Sequence, residues 1–176
     1  GLLAPDLQNI FKALFEKPVR PEQLVQSLWE DFNGKPAGES GGVAGVRQTR
    51  PCEILLVEDV EINRMVATHM LGELGHCVFE ATNGQEALDM LEKRSFDLVF
   101  MDIQMPIMDG VTATRKLREA ERQNPARPRA AIVAMTANAL KGDKDKYLEA
   151  GMDDYVSKPF QIDSLIEVIA RNVGRE

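Results

Sequence analysis

The sequence predicts an α/β fold: a doubly wound five-stranded parallel sheet of flavodoxin-like (βα)5 form. Three observations carry this reading. Five short apolar runs recur between positions 52 and 157, and each is followed by a stretch with apolar residues at helical spacing. The runs are apolar on consecutive positions, as strands are when helices cover both faces of a parallel sheet. Gly, Pro or Asn-Gly signals punctuate the boundaries.

Ile54-Leu55-Leu56-Val57 is the first predicted strand. Ile62, Met65, Val66, Met70 and Leu74 then recur with helical period, and Gly75 closes that helix. Cys77-Val78-Phe79 is the second strand, and Asn83-Gly84 is a turn opening a helix through Ala87, Leu88 and Leu91. Leu98-Val99-Phe100-Met101 is the third strand. Its helix runs from about Val111 to Arg122 and stops before Pro125. Ala131-Ile132-Val133-Ala134-Met135 is the fourth, followed by a helix around Gly142–Ala150 that Gly151 ends. Tyr155-Val156 is a short fifth strand. Ile162, Leu165, Ile166, Ile169 and Val173 mark a last amphipathic helix.

The patterned block is 51–176, long enough to bury its own core without disulfides. Residues 33–50 hold five of the thirteen glycines and almost no large apolar side chain. Such a stretch cannot offset its ordering entropy, so a flexible linker is expected there. Residues 1–32 are a short apolar segment, too small for a domain. Lys and Arg number 21 against 28 Asp and Glu, a net charge of −7, all of it in the patterned block. An acidic surface disfavours nonspecific nucleic-acid binding. No apolar run approaches the roughly 20 residues that span a bilayer, and no signal-peptide pattern opens the chain. Cys52 and Cys77 form no CxxC and build no scaffold, so both are expected reduced and packed in a cytoplasmic setting.

In an open α/β sheet the ligand site lies beyond the carboxyl ends of the strands. Glu58-Asp59 follows the first predicted strand, Asp102 the third, Thr136 the fourth and Lys158-Pro159 the fifth. Three carboxylates, a hydroxyl and an ammonium thus converge on one edge. Clustered carboxylates repel, and a hard divalent cation with oxygen ligands, Mg²⁺, relieves the repulsion. A carboxylate beside a metal, a hydroxyl donor and a lysine is suited to accept a phosphoryl group.

These residues carry a resemblance. Leu56-Val57-Glu58-Asp59, Met101-Asp102-Ile103-Gln104-Met105-Pro106-Ile107-Met108-Asp109-Gly110, Ala134-Met135-Thr136-Ala137 and Tyr155-Val156-Ser157-Lys158-Pro159-Phe160 resemble, in order and spacing, the motifs of receiver domains of two-component signalling proteins. The flanking Glu61-Ile62-Asn63-Arg64 and Gly151-Met152-Asp153-Asp154-Tyr155 are most similar to receivers at the C-terminus of hybrid sensor histidine kinases. Val60 departs from them, since Asn is common at that position.

The resemblance implies a role for each position. Asp102 is the phosphoacceptor. Glu58, Asp59, Asp102 and the backbone carbonyl of Gln104 hold Mg²⁺, directly or through water. Thr136 hydrogen-bonds a phosphoryl oxygen, Lys158 pairs with the phosphoryl group, and the Lys158–Pro159 bond is cis. Thr136 and Tyr155 form the conformational switch, while Gln104 and Asn138 tune phosphoryl lifetime. The implied partners are a histidine kinase core, in the same parent chain, and a histidine phosphotransfer protein. No nucleic acid and no direct membrane contact are expected, although the parent kinase can itself be anchored. No DNA-binding pattern follows the last helix.

Plainer roles stand beside these. Either acidic residue after the first strand, taken alone, could cap the next helix. Asp109-Gly110 reads as a structural turn. Tyr155 could be only a half-buried aromatic. His69 and His76 lack partners at metal spacing, and Lys141, Asp143, Lys144, Asp145 and Lys146 read as a solvated helix face. Two other functions compete. A haloacid-dehalogenase-type hydrolase would carry its nucleophile after the first strand, where this chain has Glu58-Asp59-Val60-Glu61. A phosphate-independent pseudo-receiver would have lost site residues that are intact here.

An internal repeat marks residues 1–32. Phe15–Leu28 aligns without gaps on Val156–Ile169, each with Lys-Pro ahead of an amphipathic segment. The segment is therefore expected to be the remnant of a preceding receiver-like domain, or a helical segment, with Leu14 at the aromatic switch position.

Overall fold

The computed structural model describes residues 50–137 and 141–173, with the side chains of 141–144 left aside. The expectations for 1–32, for nearly all of the linker 33–50 and for Asn138 lie outside these residues. Among the described residues five strands alternate with five helices. They are β1 Glu53–Val57, α1 Glu61–Glu73, β2 Cys77–Ala81, α2 Gly84–Lys93 and β3 Leu98–Asp102. The second half comprises α3 Gly110–Gln123, β4 Ile132–Thr136, α4 Lys141–Glu149, β5 Asp154–Ser157 and α5 Ile162–Val173. The sheet is parallel throughout, in the order β2-β1-β3-β4-β5. This is the doubly wound order whose reversal point, between β1 and β3, opens a crevice at the carboxyl ends.

The two-residue period of the strands divides the core between two faces. Leu55, Val57, Val99, Met101, Ile132 and Ala134 face α2, α3 and α4, where Ala87, Leu91, Ala113, Leu117 and Tyr147 complete one buried cluster. Ile54, Leu56, Phe100 and Met135 alternate with them and are fully buried. On that side α1 and α5 pack on the sheet with Met70, Leu71, Leu165 and Ile169 buried.

Local chemistry sets the element ends. Asn83 and Asp109, expected in turns, are helix N-caps: Asn83 accepts from the amides of Gln85 and Glu86, and Asp109 from that of Thr112. Val60 occupies the N-cap of α1 in extended backbone and makes no side-chain cap hydrogen bond. Gly151, after α4, has φ +100°, a conformation that favours glycine. Lys158–Pro159 is cis, as the resemblance implied.

The cysteine expectation needs one correction. Cys52 is buried, its Sγ donating to Arg50 O at 3.0 Å, and burial pushes its thiol pKa up, with Asp97 adding to the rise. Cys77, by contrast, is exposed, because β2 is an edge strand and this residue sits at its start. His76 is buried and its Nδ1 accepts from the Cys52 amide at 3.3 Å. Among the described residues no helix is long and apolar enough to cross a membrane.

Candidate functional site

Glu58 extends β1 by one hydrogen bond, its amide donating to Ala81 O at 3.0 Å. That places its carboxylate under the strand ends at 0% exposure. Asn63, in the first turn of α1, donates from Nδ2 to Glu58 Oε1 at 3.0 Å. Arg64 donates from Nη1 to Glu58 O at 2.9 Å while its Nε pairs with Glu80 at 3.1 Å, which fixes the turn from β1 into α1. Glu58 Oε2 lies 2.5 Å from Lys158 Nζ. Among the described residues no donor is aligned on it as a hydrogen bond, so charge alone holds it.

Asp102 is the last residue of β3 and is 6% exposed. Its Oδ2 accepts from Lys158 Nζ at 2.6 Å, and the Gln104 amide approaches Oδ1 at 3.3 Å. The first turn of α3 passes close behind it. A Cβ on Gly110 would stand 2.0 Å from Asp102 O, so only glycine permits that approach. The expected turn dipeptide Asp109-Gly110 is structural, as read, but the structure it serves is the seat of Asp102.

Thr136 ends β4, is 5% exposed, and its carbonyl accepts from the Lys158 amide at 2.8 Å, which seats the lysine beside Asp102. Its Oγ1 shares a hydrogen bond with the Tyr147 hydroxyl at 3.2 Å. Glu58, Asp59, Asp102, Gln104, Thr136 and Lys158 all line one cleft of about 680 Å³. Tyr155, in β5, packs against the apolar cluster. Asp102 ends β3, away from the place after β1 that the hydrolase alternative requires.

The donor set fits a hard cation. Glu58, Asp59 and Asp102 each offer an oxygen within 4.8 Å of the others. Three carboxylates against one ammonium leave two net negative charges, which a divalent ion cancels. An all-oxygen set with a cleft open to water suits Mg²⁺. The buried Glu58 Oε2, lacking an aligned donor, is the atom most in need of it.

Sequence reasoning missed Asn63 and Tyr147, which also line the cleft. Asn63 lies five residues beyond Glu58, a spacing that returns the first helical turn to the strand end. Tyr147 carries no such signal, since its apolar ring reads as core.

Sheet order, acidic cluster and lysine together define a phosphoacceptor-type α/β module, and comparison with known proteins places it. The family model for the response regulator receiver domain matches residues 54–170, and the chain belongs to this family. Hybrid signal transduction histidine kinase F of Dictyostelium discoideum is 42% identical over 127 residues, 72% of this chain and 11% of the relative. Sensor protein GacS of Pseudomonas syringae pv. syringae is 32% identical over 170 residues, 96% of this chain and 18% of the relative. The chain thus spans between a tenth and a fifth of the length of these two relatives.

Two solved structures share the fold. One is the receiver domain of sensor histidine kinase PA1611 from Pseudomonas aeruginosa PAO1, with a magnesium ion coordinated in its active site cleft. It is 40% identical, with a TM-score of 0.63 over 71% of this chain and 99% of that one. The other is a co-crystal of the Saccharomyces cerevisiae histidine phosphotransfer signaling protein Ypd1 with the receiver domain of its downstream response regulator Ssk1. It is 32% identical, with a TM-score of 0.65 over 70% of this chain and 90% of that one.

Proposed function

We propose that this chain is the phosphoacceptor receiver of a phosphorelay, taking a phosphoryl group from a phosphohistidine onto Asp102. The observation that carries the reading is the seat of Asp102: a nearly buried carboxylate paired to Lys158 and grouped with Glu58 and Asp59. Glu58, Asp59, Asp102 and the Gln104 carbonyl would hold Mg²⁺, which when bound neutralises charge on the phosphoryl oxygens.

A carboxylate oxygen of Asp102 attacks phosphorus in line. The P–N bond to the donor imidazole breaks, its electron pair stays on the ring nitrogen, and that nitrogen takes a proton. Lys158 pairs with the transferred group, and Thr136 donates its hydroxyl proton to a phosphoryl oxygen. Movement of Thr136 toward that group lets Tyr155 repack, which alters the face built from α4, β5 and α5. The shift is bounded by the difference in contacts between the two states. Gln104, at the mouth, and Asn138 set how long the acyl phosphate survives attack by water.

The donor is a histidine kinase core in the same parent chain, and the acceptor a histidine phosphotransfer protein. The neighbour taken from a sensor histidine kinase supports the first partner, and the complex of Ypd1 with its downstream receiver supports docking with a phosphotransfer protein. Residues 1–32 are the end of a preceding receiver-like domain and 33–50 the linker to the receiver 51–176. The internal repeat supports that division. A cytoplasmic setting follows from the kinase partner.

Intact-mass measurement after incubation with Mg²⁺ and a phosphorylated kinase core or a small phosphodonor tests the reading. One phosphoryl mass on the wild type, none after chelation of Mg²⁺ and none on Asp102→Asn is the expected result. Phosphorylation of Asp102→Asn at the wild-type rate sinks it.

A further inference from the structure

We propose that Tyr147 is a positioning residue for the phosphoryl site: its hydroxyl holds the Thr136 hydroxyl in the resting cleft and gives it up when Asp102 carries a phosphoryl group. The inference rests on the function proposed above, which makes Thr136 the hydrogen-bond donor to that group. It concerns a residue distinct from Tyr155, which lies on β5 opposite Ala134.

Tyr147 is anchored from three directions. Its carbonyl accepts from the Met152 amide at 3.0 Å in the turn that closes α4. Its ring belongs to the apolar cluster between the sheet and α2, α3 and α4, and the residue is only 9% exposed. Its hydroxyl reaches the cleft wall and meets Thr136 Oγ1 at 3.2 Å, in a buried pair. A tyrosine placed with its ring in the core and its oxygen at a polar boundary can satisfy both ends only if that oxygen has a partner.

The partner it has is the hydroxyl that the phosphoryl chemistry needs. Either hydroxyl can donate across this pair, and the resting bond proposed is the one in which Thr136 donates; its one proton cannot then go to Tyr147 and to a phosphoryl oxygen at once. A bond to an anionic oxygen is roughly twice as strong as a neutral one, so the phosphoryl group wins the proton. The Tyr147 hydroxyl then turns to water, since it lines the same cleft. The resting bond therefore taxes phosphoryl binding. A net neutral hydrogen bond of ordinary strength corresponds to about a fivefold change in an equilibrium constant.

The test uses beryllium fluoride as the phosphoryl mimic, titrated into the Mg²⁺-loaded full chain. Tyr147→Phe keeps the ring and removes the hydroxyl. The variant is expected to bind the mimic about fivefold more tightly, on the same hydrogen-bond scale, with Mg²⁺ affinity unchanged. In a Thr136→Ala background the gain is expected to vanish. In the wild type, the Tyr147 ring-carbon resonance beside the hydroxyl is expected to move on adding the mimic. Unchanged or weaker binding by Tyr147→Phe, a gain that survives Thr136→Ala, or an unmoved resonance overturns the inference while leaving the phosphoacceptor reading intact. A folded wild type that takes no mimic at all overturns that reading and this inference with it.

Discussion

Lys158 Nζ lies 2.5 Å from Glu58 Oε2, a contact made between the end of β5 and a fully buried carboxylate beyond β1, across two intervening strands. The same ammonium is 2.6 Å from Asp102 Oδ2. One cation thus ties the two outer components of the cleft to its central carboxylate. Replacing it by Met leaves carboxylates facing one another at low exposure. Without Mg²⁺, Lys158→Met is expected to lose roughly 3–5 kcal/mol, the range for a buried pair stripped of one partner. Saturating Mg²⁺ is expected to raise its melting temperature by more than it raises that of the wild type, because the variant cleft carries one more net negative charge. Calorimetry with and without the ion checks both statements.

Asn63 would act on a Mg²⁺ ion held by Glu58. Its amide fixes Oε1 at 3.0 Å and thereby aims the other oxygen into the cleft. Losing such a support typically weakens metal binding by about tenfold or more. Asn63→Ala is expected to show that loss in a Mg²⁺ titration, with an unchanged fold by circular dichroism.

Val60 leaves α1 without a side-chain cap, although its φ of −80° and ψ of 112° are those of a capping residue. Val60→Asn is expected to stabilise the domain by about 0.5–1 kcal/mol by satisfying an open amide of the first turn. The residue is 44% exposed, so little burial is lost. Urea unfolding at equal slope is the measurement.

Arg118 serves stability away from the acidic cluster. It donates from Nε to Gly151 O at 2.8 Å and pairs with Glu121 at 2.7 Å and Asp153 at 2.9 Å. Asp153 Oδ2 in turn accepts from the Ile132 amide at 2.9 Å, where β4 begins. Arg118→Met leaves the low-exposure Glu121 without its ion-pair partner, while Asp153 keeps Arg129 at 2.6 Å, and is expected to cost about 3 kcal/mol. Mg²⁺ affinity is expected to hold, since Arg118 does not line the cleft.

His76 gives the fold a dependence on pH. Burial lowers its pKa below the ordinary 6.5, with Asp97 pulling weakly the other way. The folded chain therefore favours the neutral ring, whose Nδ1 accepts from the Cys52 amide. Its contribution to stability is fully present above 6.5 and is lost as pH falls from there through the lower folded value, because the unfolded chain then binds the extra proton. Unfolding free energies measured between about pH 7 and 5 should fall less steeply in His76→Gln.

The fold was legible because most strands hold a contiguous apolar run and most helices keep their own period; the highly charged α4 was marked instead by the Gly151 that ends it. Boundaries slipped where caps decide them: Asp109 and Asn83 looked like turns until their acceptor roles on following amides were visible. The residues at the strand ends were legible for a related reason, since Glu58, Asp102 and Thr136 directly follow apolar runs and Lys158 stands two residues past Val156. Partners separated widely in sequence were not. Arg118 looks like one more charge on a polar helix, yet Asp153, its partner, lies 35 residues on. Tyr147 joins Thr136 from 11 residues away, and nothing in its neighbours marks the hydroxyl. Cys77 looked like core because an edge strand and a central strand share an alphabet.

Every ladder in this sheet joins segments separated by at least one helix, and none is a hairpin. Such a chain closes long loops before any strand pairing rewards it, which slows folding relative to a helical bundle of equal size. β1 pairs with both β2 and β3, so it joins the β2 edge to the β3-β4-β5 half of the sheet. Glu58 and Asp102 meet only once that central pairing exists. A cation arriving early finds no complete site to template; it can only latch the finished sheet, slowing its opening without hastening its assembly.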